Sequence, residues 1–135
     1  RMVKKARDLG ALIVVGHGET LSEHVEPGSN MAYIKAKVDV LAHPGLITDE
    51  ECRLAARNSV HLEITSRGGH NTSNGHVASA SRRLGAPMLV NTDCHAPGDL
   101  ISDERAMKVA LGAGLCEEDF RRIQKNAKQL LEKVR

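Results

Sequence analysis

Short apolar runs alternate with helical patterns four times along this chain, and this alternation constrains its fold more than any other feature. The runs cover residues 11–15, 38–42, 60–65 and 88–91 and are typical of strands that are buried on both faces of a sheet. A helical pattern follows each run, and short crossovers of this kind connect parallel strands. The sequence therefore predicts an α/β fold with about four parallel strand-helix units, either as an open doubly wound sheet or as part of a barrel.

Capping residues mark the ends of several predicted helices. In the helix over 48–57, Thr48 and Glu51 have the spacing of a capping box, and a later helix begins at Ser102. A terminal helix is predicted over 117–134. The chain opens inside a helical pattern that ends at Gly10. We therefore expect a single domain over residues 1–135, with an N-terminal part that lies outside this sequence.

The composition limits the partners and the compartment. Aromatic residues make up 1% of the chain, so stacking of nucleic-acid bases on aromatic side chains is close to excluded. The 19 basic and 17 acidic residues leave a formal charge of +2, with no basic block of the kind that binds polyanions. A nucleic-acid partner is therefore not expected, nor, without an apolar run of membrane length, a membrane. Three irregularly spaced cysteines favour reduced thiols and a cytoplasmic protein.

Histidine and aspartate side chains follow three of the four predicted strands. His17 lies in "VVGHGE" after the first strand, His43 in "VLAHPG" after the second, and Asp93 and His95 in "NTDCH" after the fourth. The carboxyl ends of parallel strands share one rim, where sites form in α/β folds. Each residue taken alone is more often an ordinary loop or turn residue. Their convergence predicts a metal site, and imidazole with carboxylate suits zinc, manganese or iron.

The glycine-rich segment "SRGGHNTSNGH" follows the third strand and leads into a helix. Its polar side chains lie beside the free amides of a helix start, a combination that can hold a phosphate group. The candidate substrate contacts are Arg67, His70, Asn74 and His76. A flexible, solvated connection would have the same composition, and the sequence leaves both interpretations open. Glu63, inside the third strand, and Glu19, just beyond His17, are candidates for residues that orient a ligand.

The motifs "VVGHGE", "VDVLAHPGLIT", "HLEIT" and "LVNTDCHAPGD" resemble those of PHP-domain proteins, the polymerase and histidinol phosphatase family. The chain is most similar to roughly the C-terminal two thirds of the stand-alone PHP phosphoesterases. Under this resemblance His17 matches the histidine of the third motif region, and His43 matches that of the HP motif. Asp93 and His95 match the terminal DxH motif. The implied fold is the C-terminal part of a distorted (β/α)7 barrel of the TIM type.

The resemblance implies a metal-dependent phosphatase, in which about two or three divalent metals activate a water that hydrolyses a phosphate ester. No side chain is assigned as a nucleophile. The family begins with an HxH motif, a further histidine and a glutamate, none of which occurs here. The expected partner is therefore the missing N-terminal half, or a second chain that completes the barrel. Two alternatives are a non-catalytic RNA-binding subunit of the ribonuclease P type and a PHP module of a polymerase. The substrate ester and the native metal stay open.

Overall fold

The computed structural model describes residues 1–134 as four parallel strands that alternate with helices. The strands are β1 (Val15–His17), β2 (Val40–Ala42), β3 (His61–Thr65) and β4 (Met88–Asn91). The helices are α1 (Met2–Asp8), α2 (Ser29–Lys35), α3 (Asp49–Asn58), α4 (Asn74–Leu84), α5 (Asp103–Gly112) and α6 (Glu117–Leu131). Short 3-10 helices cover His70–Ser73, Pro97–Asp99 and Glu132–Val134. The prediction of an α/β fold with parallel strands is confirmed.

The strands pair in chain order, β1-β2-β3-β4, and every pair is parallel. Val15 lies opposite Val40, and Leu62 lies opposite both Leu41 and Met88. All four carboxyl ends consequently lie along one rim of the sheet. Within residues 1–134 the sheet does not close on itself, so β1 and β4 are its two edges.

The first strand differs from its prediction. A strand over 11–15 was expected to be buried on both faces, whereas pairing starts at Val15, whose relative exposure is 57%. The cause is tertiary, because the Asp39 carboxylate accepts a hydrogen bond from the Val14 amide at 2.8 Å. The Val14 carbonyl in turn accepts from the amides of Asp39 and Val40. These bonds place the start of the ladder after the apolar run and leave an edge strand that is buried on one side only.

The capping residues behave as predicted. Thr48 accepts from the Glu51 amide while the Glu51 side chain accepts from the Thr48 amide, so both halves of the capping box at the start of α3 are present. Ser102 caps α5 through the Arg105 amide. Gly85 ends α4 with a φ of 81°, a value that glycine adopts without steric cost.

The core is almost entirely aliphatic, as the low aromatic content predicts. Its main cluster joins Leu41, Leu62 and Ile64 of the sheet to buried residues from helices α2 to α6. Side chains alternate between the faces of a strand, and the opposite face carries a smaller cluster of Val40, Leu89 and Leu130. Glu63 lies between Leu62 and Ile64 and is therefore on that second face, immediately below the carboxyl-terminal rim, where it is also buried.

Candidate metal centre

Three histidine rings lie together at the carboxyl-terminal rim of the sheet. His17 is the last residue of β1, His43 follows β2 directly, and His70 begins the 3-10 helix after β3. The rings of His43 and His70 are stacked with centroids 4.2 Å apart and an interplanar angle of 15°. His17 meets His43 edge to face at 4.6 Å and lies 6.3 Å from His70. The expected convergence of His17 and His43 is therefore present, and His70 joins them.

Two carboxylates face this group of imidazoles. Glu23 places Oε2 3.3 Å from Nε2 of His17 and Oε1 3.6 Å from Nε2 of His70. Asp93, which follows β4, places Oδ2 3.7 Å from the same nitrogen of His70. We call His17, His43, His70, Glu23 and Asp93 the rim cluster.

The two ring nitrogens of each histidine in the cluster make different contacts, and Nδ1 is the one that is hydrogen-bonded within the fold. Nδ1 of His17 lies 3.0 Å from the Gly18 carbonyl, which can only accept, so this nitrogen carries the proton. Nδ1 of His43 lies 3.0 Å from Oε2 of Glu63, which also accepts from the His43 amide at 2.6 Å. Each of these two histidines is therefore held through Nδ1, and its Nε2 keeps a lone pair.

His95 follows the same pattern, because its Nδ1 lies 2.7 Å from the Asp93 carbonyl. Nδ1 of His70 lies 2.6 Å from the Thr20 hydroxyl, which can donate or accept, so this contact anchors the ring without fixing which nitrogen carries the proton. Burial lowers the pKa of His70, and the adjacent His43 ring lowers it further, while Glu23 and Asp93 oppose this shift. A neutral imidazole anchored through Nδ1, with Nε2 available, is the usual state of a histidine that binds a metal.

The Nε2 atoms of the cluster have different surroundings. Within residues 1–134, Nε2 of His43 is buried and has no hydrogen-bond partner. Nε2 of His17 faces a carboxylate oxygen of Glu23, and Nε2 of His70 faces oxygens of Glu23 and Asp93. A buried polar atom without a partner costs about 1–3 kcal/mol, and a cation between these groups would remove that cost.

Imidazole nitrogens and carboxylate oxygens are suitable ligands for a divalent metal, but the donor atoms of the cluster do not surround a single position. Within the part of the chain that the structure describes, no three His, Cys, Asp or Glu side chains have their donor atoms around a common point. The stacked rings of His43 and His70 explain this, because their nitrogens lie side by side. The rings of His43 and His70 would have to rotate for both to coordinate the same ion.

The backbone at the rim is held in an uncommon conformation. His43 has a φ of 31° and Asp93 has a φ of 46°, in the left-handed region that non-glycine residues seldom adopt. Such residues cost about 1–3 kcal/mol each and cluster at functional sites. His43 directly follows β2, and Asp93 lies two residues after the end of β4, so both uncommon conformations occur at the carboxyl-terminal rim.

Two glycines bring the loops after β1 and β2 into contact. A Cβ on Gly18 would lie 2.5 Å from the Ala42 carbonyl oxygen and 2.7 Å from the Cα of Pro44. A Cβ on Gly45, whose φ is 63°, would lie 1.9 Å from the Glu19 carbonyl oxygen. These close approaches place His17 and His43 on adjoining loops with no side chain between them.

His95 and Arg67 flank the cluster. The side chain of His95 is 64% exposed, with Nδ1 3.9 Å from Oδ1 of Asp93, so it lies at the outer side of the site. Nε of Arg67 lies 3.8 Å from Oδ2 of Asp93, and its Nη1 donates to Asp99 at 3.0 Å. Arg67 therefore lies beside Asp93 at the edge of the rim cluster.

The other predicted site residues are bonded within the fold. Asn74 makes two hydrogen bonds with the backbone of Thr65, and Nε2 of His76 lies 2.7 Å from the Ile47 carbonyl. Glu19 accepts from the amides of Gly28 and Asn30 at the start of α2. Oε2 of Glu63 contacts the amide and Nδ1 of His43, so its role as a residue that orients a ligand stays a prediction. Glu19 has no such bond to His17.

The comparisons with known proteins give one relative and no family. A scan against models of protein families finds no match for this chain. The chain is 50% identical to an uncharacterized protein of Methanocaldococcus jannaschii, over an alignment of 136 positions that covers 99% of this chain. It spans 62% of the length of that relative. No helix within residues 1–134 has the length and the apolar character needed to cross a membrane.

Proposed function

We propose that this chain belongs to a metal-dependent phosphoesterase of the PHP type, with the rim cluster as its metal site. The observation that carries the proposal is the shared anchoring of His17, His43, His70 and His95, each bonded through Nδ1. Anchoring through Nδ1 also occurs away from the rim, at His61, whereas His76 is held through Nε2. It favours a metal-binding role here because the rings of His17, His43 and His70 also lie together at one rim beside Asp93.

The residues of the site divide into ligands and supports. His17, His43, His70, Asp93 and the more exposed His95 are the proposed ligands, with Glu23 as a further oxygen donor. Bound zinc, manganese or iron would polarise the phosphate and activate a water for attack on phosphorus. Glu63 fixes the ring of His43, and Thr20 fixes the ring of His70. Arg67 supplies a guanidinium that can pair with a phosphate oxygen beside Asp93.

We also propose that the four strands are part of a TIM-like barrel. The face of the sheet that carries Val40, Leu89 and Glu63 would correspond to the interior of such a barrel. The outer edge of β1 has no neighbour within residues 1–134, and Leu12 and Val15 are exposed beside it. Further strands, from the same polypeptide or from a second chain, would cover this edge and bring additional ligands to the rim.

Metal content and phosphatase activity test the proposal. The protein is purified with and without added Mn²⁺ or Zn²⁺, and metal is counted by inductively coupled plasma mass spectrometry. Hydrolysis of p-nitrophenyl phosphate is then measured. His43→Ala should reduce both metal content and rate at least about tenfold. His24→Ala is the matched control, because it removes an exposed imidazole outside the rim cluster.

The two measurements separate the possible outcomes. If His43→Ala and His24→Ala retain metal equally, the rim cluster is not a metal site and the proposal is rejected. If the wild-type protein binds metal at the rim but hydrolyses no phosphate ester, the metal site stands and the enzymatic part of the proposal falls. Salt-dependent RNA binding by a protein without metal would favour a non-catalytic subunit instead.

A further inference from the structure

A polar cavity lies beside the rim cluster, between the loops that follow β3 and β4. Its volume is about 550 Å³, and its lining includes Ser66, Arg67, Thr92 and Asp99 from these loops and Arg105 from α5. Arg67 belongs to both places, because its Nε faces Asp93 of the rim cluster while the same side chain lines the cavity. The cavity therefore adjoins the position proposed for the reacting phosphate at Arg67.

The carboxylate in this cavity, Asp99, already has hydrogen-bond donors and a positive partner within the fold. Oδ2 of Asp99 accepts from the amides of His95 and Ala96 at 2.8 and 3.0 Å, and from Nη1 of Arg67 at 3.0 Å. The two amide bonds, followed by the charge and hydrogen bond of Arg67, hold the pKa of Asp99 below its ordinary range. Asp99 thus fixes the loop that carries Asp93 and His95, and it fixes Arg67 across the gap between the two loops.

The second arginine of the cavity is free. Within residues 1–134, the guanidinium of Arg105 takes part in no ion pair and no hydrogen bond, although Ser102 accepts from the backbone amide of Arg105. Arg67 pairs with Asp99 and also faces Asp93, whereas the exposed Arg105 adds a positive charge to the lining that is paired with no carboxylate within residues 1–134. Ser66 and Thr92 add two hydroxyl groups to the lining. These features suit an anion of a few oxygen atoms.

We propose that this cavity binds a second anionic group on the substrate, a phosphate or a carboxylate carried by the leaving group of the ester. The inference rests on the proposed phosphoesterase function and narrows its substrate class to esters with two anionic ends. Arg105 pairs with the distal anion, while Arg67 lies between the two anions. Arg105 is a specificity residue in this scheme and takes no part in hydrolysis.

The experiment compares esters that differ only at the distal end. The protein with Mn²⁺ is assayed on n-propyl phosphate, on α,ω-alkanediol bisphosphates with chains of increasing length, and on the corresponding ω-phosphooxy carboxylates. A charge-assisted hydrogen bond contributes about 1.5–3 kcal/mol, so at least one doubly anionic ester should have a kcat/KM at least about tenfold above that of n-propyl phosphate. The bisphosphate and carboxylate series show which distal anion is preferred.

Two substitutions locate the preference. Arg105→Gln should bring the ratio of doubly to singly anionic esters close to unity, while kcat/KM for n-propyl phosphate stays within about twofold of the wild type. Arg53→Gln removes the same charge from α3, away from the cavity, and should leave the ratio unchanged. An Arg105→Gln variant that keeps the full preference, or a wild type with no preference, overturns the proposal.

Binding separates a failure of the subsite from a failure of the proposed function. If no ester is hydrolysed, titration calorimetry with the same bisphosphates measures the subsite directly. Binding that Arg105→Gln weakens about tenfold and Arg53→Gln does not would support the anion subsite in a protein that is not a phosphatase. A wild type that binds the bisphosphates no better than n-propyl phosphate, or with no dependence on Arg105, overturns the subsite as well.

Discussion

Replacement of Glu63 by glutamine tests how the rim cluster is built. One oxygen of this carboxylate, Oε2, accepts from both the amide and Nδ1 of His43, at 2.6 and 3.0 Å. Glu63 and His43 are buried, with side-chain exposures of 3% each. The contact thereby fixes the proton of the His43 ring on Nδ1 and leaves the lone pair of Nε2 available to a metal. Glutamine keeps the shape but removes the charge, and its amide can turn an NH₂ group toward His43.

The expected loss follows from this geometry. Removing a partner that orients a metal-binding histidine costs about 10–100-fold in metal affinity, equivalent to about 1.4–2.8 kcal/mol. Two bonds converge on a single oxygen here, so we expect Glu63→Gln to lie in the upper half of that range. The fold should persist, because glutamine fills the same volume and can still accept from the His43 amide.

The assay is titration of metal-free protein with Mn²⁺ or Zn²⁺ by calorimetry, with unfolding in urea as a second readout. Glu51→Gln is the matched control, because Glu51 is also a buried and hydrogen-bonded carboxylate, yet it belongs to the capping box of α3. It should lower the free energy of unfolding by about 1 kcal/mol and leave metal affinity unchanged. Equal metal affinity in Glu63→Gln and the wild type would refute the role assigned to Glu63.

Three further predictions concern the rim and the acid stability of the fold. Gly18→Ala should lower the metal affinity of the protein, because its Cβ would lie 2.5 Å from the Ala42 carbonyl and would push apart the loops that carry His17 and His43. Calorimetry measures this affinity, and an unchanged value would contradict the prediction. Thr20→Val should weaken metal binding several-fold through the loss of the 2.6 Å contact to the His70 ring, while circular dichroism stays that of the wild type. Asp119 has its pKa lowered from 3.8 to about 2, first by the Cys116 amide and also by Arg122, so its ionised form contributes about 2 kcal/mol above pH 4 and this contribution is lost as the pH falls toward 2. Urea unfolding of Asp119→Asn should therefore differ from the wild type at pH 7 and converge with it near pH 2, and a difference that does not depend on pH would contradict this assignment.

The convergence of His17, His43 and Asp93 could be predicted because it follows from topology alone. Residues that follow parallel strands of one sheet lie at the same rim, and the chain order of these three residues matches the spatial order of their strands. The position of Glu63 could likewise be read from its alternation with Leu62 and Ile64 in β3. Regular elements carry this information because their side-chain periodicity is fixed.

His70 and Glu23 could not be placed in this way, because both lie in irregular segments. His70 lies in the glycine-rich segment, and the sequence alone suggested a substrate contact there. Its position depends on the 3-10 helix and on a hydrogen bond to Thr20, fifty residues earlier in the chain. Glu23 lies in the loop after β1, and no spacing rule links it to the two histidines that it faces. Contacts between distant loops leave no periodic trace in a sequence.

The first strand shows the same limit at the level of the fold. Its apolar run predicts a strand over 11–15, but a single carboxylate from another part of the chain, Asp39, fixes where pairing begins. That carboxylate also pairs with Arg7 and with Lys133, two residues from opposite ends of the chain. Such a network is tertiary in origin, and local propensity holds no information about it.

The tight contact between the loops of Gly18 and Gly45 affects how this site can vary between proteins. The proposed ligands, histidine, aspartate and glutamate, can replace one another in a metal site, but no side chain fits where a Cβ would meet a carbonyl oxygen at 2.5 or 1.9 Å. Substitution of the ligands is therefore less restricted than substitution of the two glycines. In distant sequences, a glycine one residue after the first strand's histidine and another two residues after the second strand's histidine should identify this architecture even where the ligands have changed.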